Sequence, residues 1–149
     1  MAYRSTAHLF EDTNPRELIA LLRQIHTREG ALPDFQRDFV WDPAMTKELI
    51  VSMAEGTYAG SVLRIPNTQK LFAWRAFQGA PALGDCQPIF LVLDGQQRLT
   101  SLYQVFYGVG VYRYDVDLRR LLDGADFADC LLHLRVGTRT AQAYESFRV

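Results

Sequence analysis

The sequence predicts a small mixed α/β or α+β domain, a mixed sheet flanked by helices. Strand-like and helix-like segments alternate loosely along the chain, and its 149 residues are a common length for one domain. Apolar residues make up 48% of the sequence, enough to build a core. The nearly continuous apolar run over 88–93 has the character of a central strand, and a helical pattern follows it directly. A helix bundle and an all-β sandwich are both disfavoured.

The first helix is predicted from its start. Asn14 supplies an N-cap, Pro15 suits the first helical position, and Glu17 sits where a capping box places an acid. Gly30 is the expected end of this helix. Its apolar residues recur at helical spacing, on one face made of Leu18, Leu21, Leu22 and Ile25.

The second helix follows an extended segment or loop over 32–41, where Pro33 discourages helix. Asp42 is its expected cap, Pro43 its first residue and Gly56 its end. The expected apolar face consists of Met45, Leu49, Ile50 and Met53.

The second half of the chain continues the alternation. A strand over 61–65 is expected to stop at Pro66, 71–77 is a further candidate strand, and 79–85 is a mobile loop rich in Gly, Ala and Pro. The helix after strand 88–93 is closed by Gly108 and Gly110, and its expected apolar face is Leu99, Leu102, Tyr103 and Phe106. A strand over 111–116, a helical turn over 118–122 and a last strand over 131–136 complete the prediction.

Composition and motifs exclude several classes of function. With 16 basic and 17 acidic residues, the chain lacks the positive excess with which domains grip duplex DNA alone. Cys86 and Cys130 fit no metal spacing and are expected to be free thiols in a reducing cytosol. Neither a signal peptide nor a membrane span is recognisable, so we expect a cytoplasmic protein without membrane contact.

The sequence lacks the motifs of other common catalytic and metal sites. The sequence contains no P-loop, no H-E-x-x-H and no paired Cys-x-x-Cys. Its three histidines, His8, His26 and His133, are scattered, and a helix-terminal or surface position is expected for each; His26 lies near the end of the first helix.

The strongest candidate site is the junction between strand 88–93 and the helix that follows it. Gly95 allows a sharp turn and a close approach of a phosphate. The N–H groups of residues 96–98 are the unpaired donors of a first helical turn, which favours anions. Arg98 can donate two hydrogen bonds to phosphate oxygens. The junction therefore predicts a nucleotide-phosphate site.

Side chains around this junction suggest chemistry. Asp94 can hold Mg²⁺ or orient a water, and Gln96 and Gln97 can position water without repelling a phosphate. Thr100 and Ser101 lie one turn into the helix and add hydroxyl donors. The structural alternative is that Asp94 caps the helix, the glycine relaxes the turn, and the arginine pairs with a surface acid.

Arg37 is the second candidate for phosphate binding. It lies in an aromatic and polar segment just before the second helix. Phe39 or Trp41 can stack on a nucleobase, and Arg37 can supply a second cation. The alternative is that Phe35, Phe39 and Trp41 anchor the core and that Arg37 is merely exposed.

Three sequence blocks, at 33–41, 48–56 and 93–102, occur in the order seen in one family. The third contains Asp94-Gly95-Gln96-Gln97-Arg98. Together they resemble the N-terminal domain of GmrSD-type, modification-dependent restriction proteins, of the ParB/sulfiredoxin-like fold group. The resemblance implies a nucleotide-hydrolysing module, and we expect its cofactor to be Mg²⁺ with a nucleoside triphosphate. Its phosphate site would lie at 94–98, with Arg37 facing the same site.

The resemblance also implies partners. A nuclease domain or subunit of the HNH type, in cis or in trans, would cut foreign or modified DNA, and DNA would be met through the full assembly. We therefore expect residues 1–149 to form a single domain, the N-terminal part of a longer restriction protein in antiphage defence. The chain itself carries no histidine-rich nuclease motif, so it is not expected to cut DNA alone.

Two departures from the family pattern stand out. Many relatives have Pro-Ile-Gly after the second helix, where this chain has residues 57–61, Thr-Tyr-Ala-Gly-Ser. An amide replaces the acid of ParB-like phosphate motifs, so a metal would depend on Asp94 or be bridged by phosphates. Three hypotheses follow: an NTPase module, a nucleotide- or DNA-phosphate-binding regulatory module without turnover, and a fragment with an incomplete site.

Overall fold

A computed structural model describes residues 17–137 of the chain. Over this range the fold is mixed α/β, as predicted, with a four-stranded sheet, a two-stranded hairpin and five helices. The helices are α1 (Leu18–His26), α2 (Pro43–Ala54), α3 (Gln96–Tyr107), α4 (Leu118–Leu122) and α5 (Phe127–Cys130). The strands are β1 (Gly30–Pro33), β2 (Leu63–Pro66), β3 (Trp74–Arg75), β4 (Phe90–Asp94), β5 (Tyr112–Val116) and β6 (Leu131–Arg135).

The four-stranded sheet has the order β2-β4-β1-β3. Its central strands β1 and β4 run parallel, and the outer strands β2 and β3 pair with them antiparallel. Phe90, Leu91 and Val92 are consecutive and all buried, so both faces of β4 are covered. The prediction of a central strand here is confirmed.

The hydrophobic core lies between the sheet and helices α1, α2 and α3. Its buried members are Leu22, Ile25, Leu32, Leu49, Phe77, Phe90, Val92, Leu99, Leu102 and Tyr103. The hairpin of β5 and β6 contacts α3 through β5 and α2 through β6. This arrangement fixes the start of α3 beside the loop that leads into α2.

Local sequence preferences explain the start of α2. The Asp42 side chain accepts a hydrogen bond from the Met45 N–H (2.9 Å), and Pro43 is the first helical residue, as predicted. For α1, Asn14 and Pro15 lie outside the described residues. The prediction that Gly30 ends α1 is wrong: the helix ends at His26, and Gly30 opens β1. A Cβ at Gly30 would meet the Phe90 ring, so this glycine permits close packing of β1 against β4.

Several other boundaries differ from the predictions. The candidate strand over 71–77 is reduced to Trp74–Arg75. Strand β2 includes Pro66, because an edge strand tolerates a residue that lacks an N–H. Met45 and Phe106, expected on buried faces, are exposed. The two errors have different causes. Helix α2 buries Thr46 rather than Met45, whereas α3 is buried as far as Tyr103 and exposes Phe106 in its last turn.

The remaining elements follow the expected pattern. A strand, a short helix and a last strand occupy the regions predicted for them in the C-terminal part. Both cysteines are free thiols, Cys86 exposed and Cys130 buried. None of the helices within 17–137 is long and apolar enough to cross a membrane.

Candidate functional site

An open cleft of about 550 Å³ lies where β4 leads into α3. Because β1 and β4 are parallel neighbours, the segments that follow them emerge at the same edge of the sheet. We call residues 34–42, between β1 and α2, the arginine loop. The cleft lies between this loop and the β4–α3 junction, and its lining residues are Phe35, Gln36, Arg37, Trp41, Leu93, Asp94, Gly95, Gln96, Gln97 and Arg98. The structure thus brings Arg37 and Arg98 to one cleft.

The start of α3 lines this cleft, and its first backbone N–H groups have no acceptor within residues 17–137. The first N–H with a helical acceptor is that of Leu99, which donates to the Gly95 carbonyl (2.9 Å). The N–H groups of residues 96–98 therefore have no acceptor within the helix. Gly95 is the N-cap, with φ of 90°, and it has no side chain to occupy those donors. A Cβ there would also press on Val62 and on the Ser61 carbonyl.

Arg98 is held against the segment before β2. Its Nη2 donates to the Ser61 carbonyl oxygen and lies 3.6 Å from a carboxylate oxygen of Asp94. Its guanidinium covers Gly60, where a Cβ would overlap it. The side chain of Asp94 is 70% exposed, against 28% for that of Arg98. The arginine thus pairs with an acid, as the structural alternative proposed, but a guanidinium has five N–H donors, and others remain for a ligand.

The paired glutamines bind the arginine loop. Gln97 uses both ends of its carboxamide: Nε2 donates to the Asp38 carbonyl (3.0 Å), and Oε1 accepts from the Val40 N–H (2.9 Å). Gln96 Nε2 donates to the Arg37 carbonyl (2.7 Å), and its Oε1 has no partner among residues 17–137. Both side chains are buried. Their bonds tie the start of α3 to the loop that carries Arg37.

Two further side chains hold the arginine loop, and sequence reasoning missed the role of both. Arg75 Nη2 donates to the carbonyls of Gln36 and Arg37 (both 2.9 Å) and lies 3.5 Å from Asp38. Gln36 Nε2 donates to the Val92 and Leu93 carbonyls at the end of β4 (3.0 and 2.7 Å). No motif marks Arg75, which lies in a poorly patterned segment. The Arg37 guanidinium itself is exposed and makes no bond or ion pair with the described residues.

Comparison with known proteins identifies the family of this chain. Residues 18–146 match the family model described as "GmrSD restriction endonuclease, N-terminal domain". The chain belongs to this family.

A relative of this GmrSD N-terminal domain is known from Methanocaldococcus jannaschii. It is named "Uncharacterized protein MJ0686" and is 35% identical over 122 residues, which cover 72% of this chain and 21% of that protein. The chain thus spans about a fifth of the length of the curated relative it matches. No solved structure matches, and membership of the ParB/sulfiredoxin-like fold group stays a prediction.

Not every predicted site residue of this GmrSD N-terminal domain reaches the cleft. Thr100 and Ser101 are fully buried, and their hydroxyls donate to the carbonyls of Gln96 and Gln97 one turn back (2.8 and 2.9 Å). Ser101 also accepts a hydrogen bond from Thr46 of α2 (3.2 Å). Neither hydroxyl lines the cleft. Their contacts pack α3 rather than face a ligand.

The aromatic residues of the arginine loop divide into two groups. Trp41 lines the cleft and also packs against the hydrophobic core, whereas Phe39 lines a separate, smaller pocket with Thr46 and Tyr114. One interpretation of the sequence made Phe35 an anchor of the core. This is wrong, because the residue is 63% exposed and lines the cleft. The turn that follows β1 carries it away from the sheet. Whether Phe39 or Trp41 stacks on a base stays a prediction.

Proposed function

We propose that this domain binds a nucleoside triphosphate in the cleft and hydrolyses it. It would act as the nucleotide-dependent module of an antiphage, modification-dependent DNA restriction system. One observation carries the proposal: Arg37, Arg98 and the first turn of α3, whose N–H groups have no acceptor within residues 17–137, line one open cleft. A polyanion is the ligand that two guanidinium groups and a helix N-terminus complement.

The charge of the cleft supports a phosphate ligand. Its lining contains two arginines and one carboxylate, Asp94, so it is positive although the whole chain carries a net charge of −1. In this proposal Arg37 binds the phosphates from the loop side and Arg98 from the helix side. The N–H groups after Gly95 complete the phosphate site. Such fixed donors stabilise the charge that develops during phosphoryl transfer.

The remaining polar groups support a hydrolytic role. Gln96 lines the cleft, and its Oε1 accepts no hydrogen bond from the described residues, so this oxygen can orient an attacking water. Gln97 has no such oxygen, because both of its polar atoms bond the arginine loop, so we propose that it positions Arg37. Asp94 is exposed enough to accept a hydrogen bond from water.

The donor set fits Mg²⁺ bound together with a nucleotide. Residues 17–137 contain no group of three side chains that could hold a metal ion by themselves. Mg²⁺ is commonly bound by one or two carboxylates plus phosphates and water, and Asp94 is the carboxylate that the cleft offers. When bound, Mg²⁺ would neutralise phosphate charge. Asp94 would hold it from the end of β4.

Family membership supports the restriction role. The chain has neither the nuclease motifs nor the net positive charge needed to cut and grip DNA by itself. We therefore propose a nuclease domain or subunit of the HNH type as partner, in cis or in trans, with DNA engaged by the full assembly. The relative, about four times as long as this chain, leaves room for such a domain.

A regulatory role without turnover is the second candidate. It is favoured by the ion pair between Arg98 and Asp94 (3.6 Å), which occupies the carboxylate that hydrolysis would use. In that case the nucleotide, or a DNA backbone phosphate, would act as a switch or an anchor.

Phosphate release and calorimetry with ATP, GTP and CTP in Mg²⁺ separate these candidates. We expect Arg98→Ala and Asp94→Ala to abolish hydrolysis while circular dichroism stays unchanged, because both side chains lie at the surface of the fold. Arg119→Ala, an exposed arginine on α4 outside the cleft, is the matched control. Nucleotide binding without phosphate release would favour the regulatory role. Full hydrolysis by both cleft variants would refute the catalytic one.

A further inference from the structure

Phe35 is an exposed aromatic residue in the wall of the cleft. It is 63% exposed, although phenylalanine is usually buried. Its ring packs edge-on against the half-buried Phe72, with centroids 5.3 Å apart and planes at 72°. This contact supports the ring from one side and leaves much of it open to solvent.

The position of Phe35 relative to the phosphate site restricts what it can contact. It lies two residues before Arg37, so their Cα atoms are at most about 7 Å apart. Both residues line the same cleft. If a ligand binds Arg37 through its phosphates and carries a further group on the loop side, that group therefore lies next to Phe35. For a nucleotide, that group is the base.

We propose that Phe35 forms a nucleobase-stacking subsite, with Phe72 as its support. This inference rests on the proposed nucleotide binding and names the residue that holds the base. Phe39 does not line the cleft, and Trp41 is partly committed to the core, whereas Phe35 offers an open ring. Stacking on an aromatic ring tolerates different bases because every base has a π-face.

Calorimetric titration of the 149-residue chain tests the subsite. The ligands are ATP and UTP, which carry a base, and inorganic tripolyphosphate, which does not. We expect Phe35→Ala to weaken binding of both nucleotides about tenfold and to leave tripolyphosphate binding unchanged. Phe35→Tyr keeps the ring and should restore nucleotide binding. Phe72→Ala should weaken nucleotide binding less than Phe35→Ala does.

A matched control is available on α3. Phe106 is 60% exposed, close to the 63% of Phe35, but it does not line the cleft. Phe106→Ala should leave binding of all three ligands unchanged, and thermal melts should show that each variant is folded.

The possible failures are distinguishable. Unchanged nucleotide binding by Phe35→Ala, or an equal loss for tripolyphosphate, overturns the stacking subsite and leaves the phosphate site intact. A separate titration with a single-stranded oligonucleotide tests the other source of a base: if Phe35→Ala weakens binding of that ligand alone, the ring contacts nucleic acid and the subsite for a free nucleotide is refuted. If the unaltered chain binds neither nucleotides nor tripolyphosphate, the proposed function itself fails, and this inference fails with it.

Discussion

At the scale of single residues, Gly60 shows how a residue without a side chain can shape a binding site. It has φ of 97°, in the left-handed region, and the Arg98 guanidinium lies directly over it. Together with the Ser61 carbonyl it forms a backbone cradle for that arginine. The segment 57–61, where this chain departs from the expected family pattern, therefore positions Arg98 of the proposed phosphate site.

Gly60→Ala should displace Arg98. The new Cβ would overlap the guanidinium, and the positive φ adds backbone strain of about 1 kcal/mol. Gly56→Ala is a matched control, because Gly56 also has a positive φ (71°) but open space around its Cα. We expect both variants to lose similar thermal stability, while nucleotide affinity by calorimetry falls only for Gly60→Ala. Equal affinity in the two variants would show that the cradle is unimportant.

At the scale of elements, the central relationship is between α3 and the arginine loop. Buried carboxamides at the start of α3 bond the loop backbone from one side, and Arg75 of β3 bonds it from the other. A loop between a strand and a helix is usually a mobile part of a fold. Here side chains from two other elements restrain it, so Arg37 is presented to the cleft from a fixed backbone. This explains why β3, only two residues long, matters to the site.

Gln97→Ala should release the arginine loop. It leaves the Val40 N–H and the Asp38 carbonyl without their partners. Because both residues are exposed, the cost is that of two ordinary hydrogen bonds, about 0.5–1.5 kcal/mol each. Hydrogen exchange should then quicken at Val40, and the KM for nucleotide should rise more than kcat falls. Gln104→Ala, on the same helix but hydrogen-bonded to the Gln78 carbonyl and not to the arginine loop, should leave exchange at Val40 unchanged. Unaltered exchange in Gln97→Ala would contradict the restraint.

At the scale of the whole molecule, two tyrosines join separate parts of the fold. The Tyr103 hydroxyl on α3 is 2.8 Å from His26 Nδ1 at the end of α1, and the Tyr114 hydroxyl on β5 donates to the Pro43 carbonyl at the start of α2 (3.4 Å). Burial raises the pKa of Tyr103, and the neighbouring Tyr107 adds to the effect. Burial also raises the pKa of Tyr114, although a hydrogen bond with Thr46 opposes it.

These shifts predict a loss of stability in alkaline solution. A tyrosine in the unfolded chain ionises near pH 10.0, and the two folded tyrosines ionise at higher pH. Above pH 10 the folded state therefore holds more protons than the unfolded state, and the free energy of unfolding falls as pH rises. Below pH 10 this contribution is fully present.

Urea unfolding between pH 8 and 11 measures this effect. We expect the midpoint to fall above pH 10, and to fall less steeply in a variant that carries both Tyr103→Phe and Tyr114→Phe. Tyr58→Phe is the control, because Tyr58 is 84% exposed. A double variant with the same alkaline slope as the parent chain would rule out these tyrosines as the cause.

Local patterns were sufficient for most elements of the fold. The cap and proline at the start of α2, the apolar run of β4 and the glycine after α3 act through contacts only a few residues away, so a single sequence predicts them. The prediction of the end of α1 was wrong because Gly30 allows a contact with Phe90, sixty positions along the chain, and does not end the helix before it. The length of β3 was predicted wrongly because its pairing with β1, and not its own composition, makes it a strand.

The sequence by itself determined the mixed fold class, the family and the two segments that form the cleft, because capping, periodicity and motif order are local properties. Only the tertiary structure decided what each side chain in those segments contacts. It committed Gln97 to the arginine loop, buried Thr100 and Ser101, and exposed Phe35. The physical reason is distance along the chain: the bonds that hold Arg37 in place join residues 38 to 59 positions apart, and no local pattern records them.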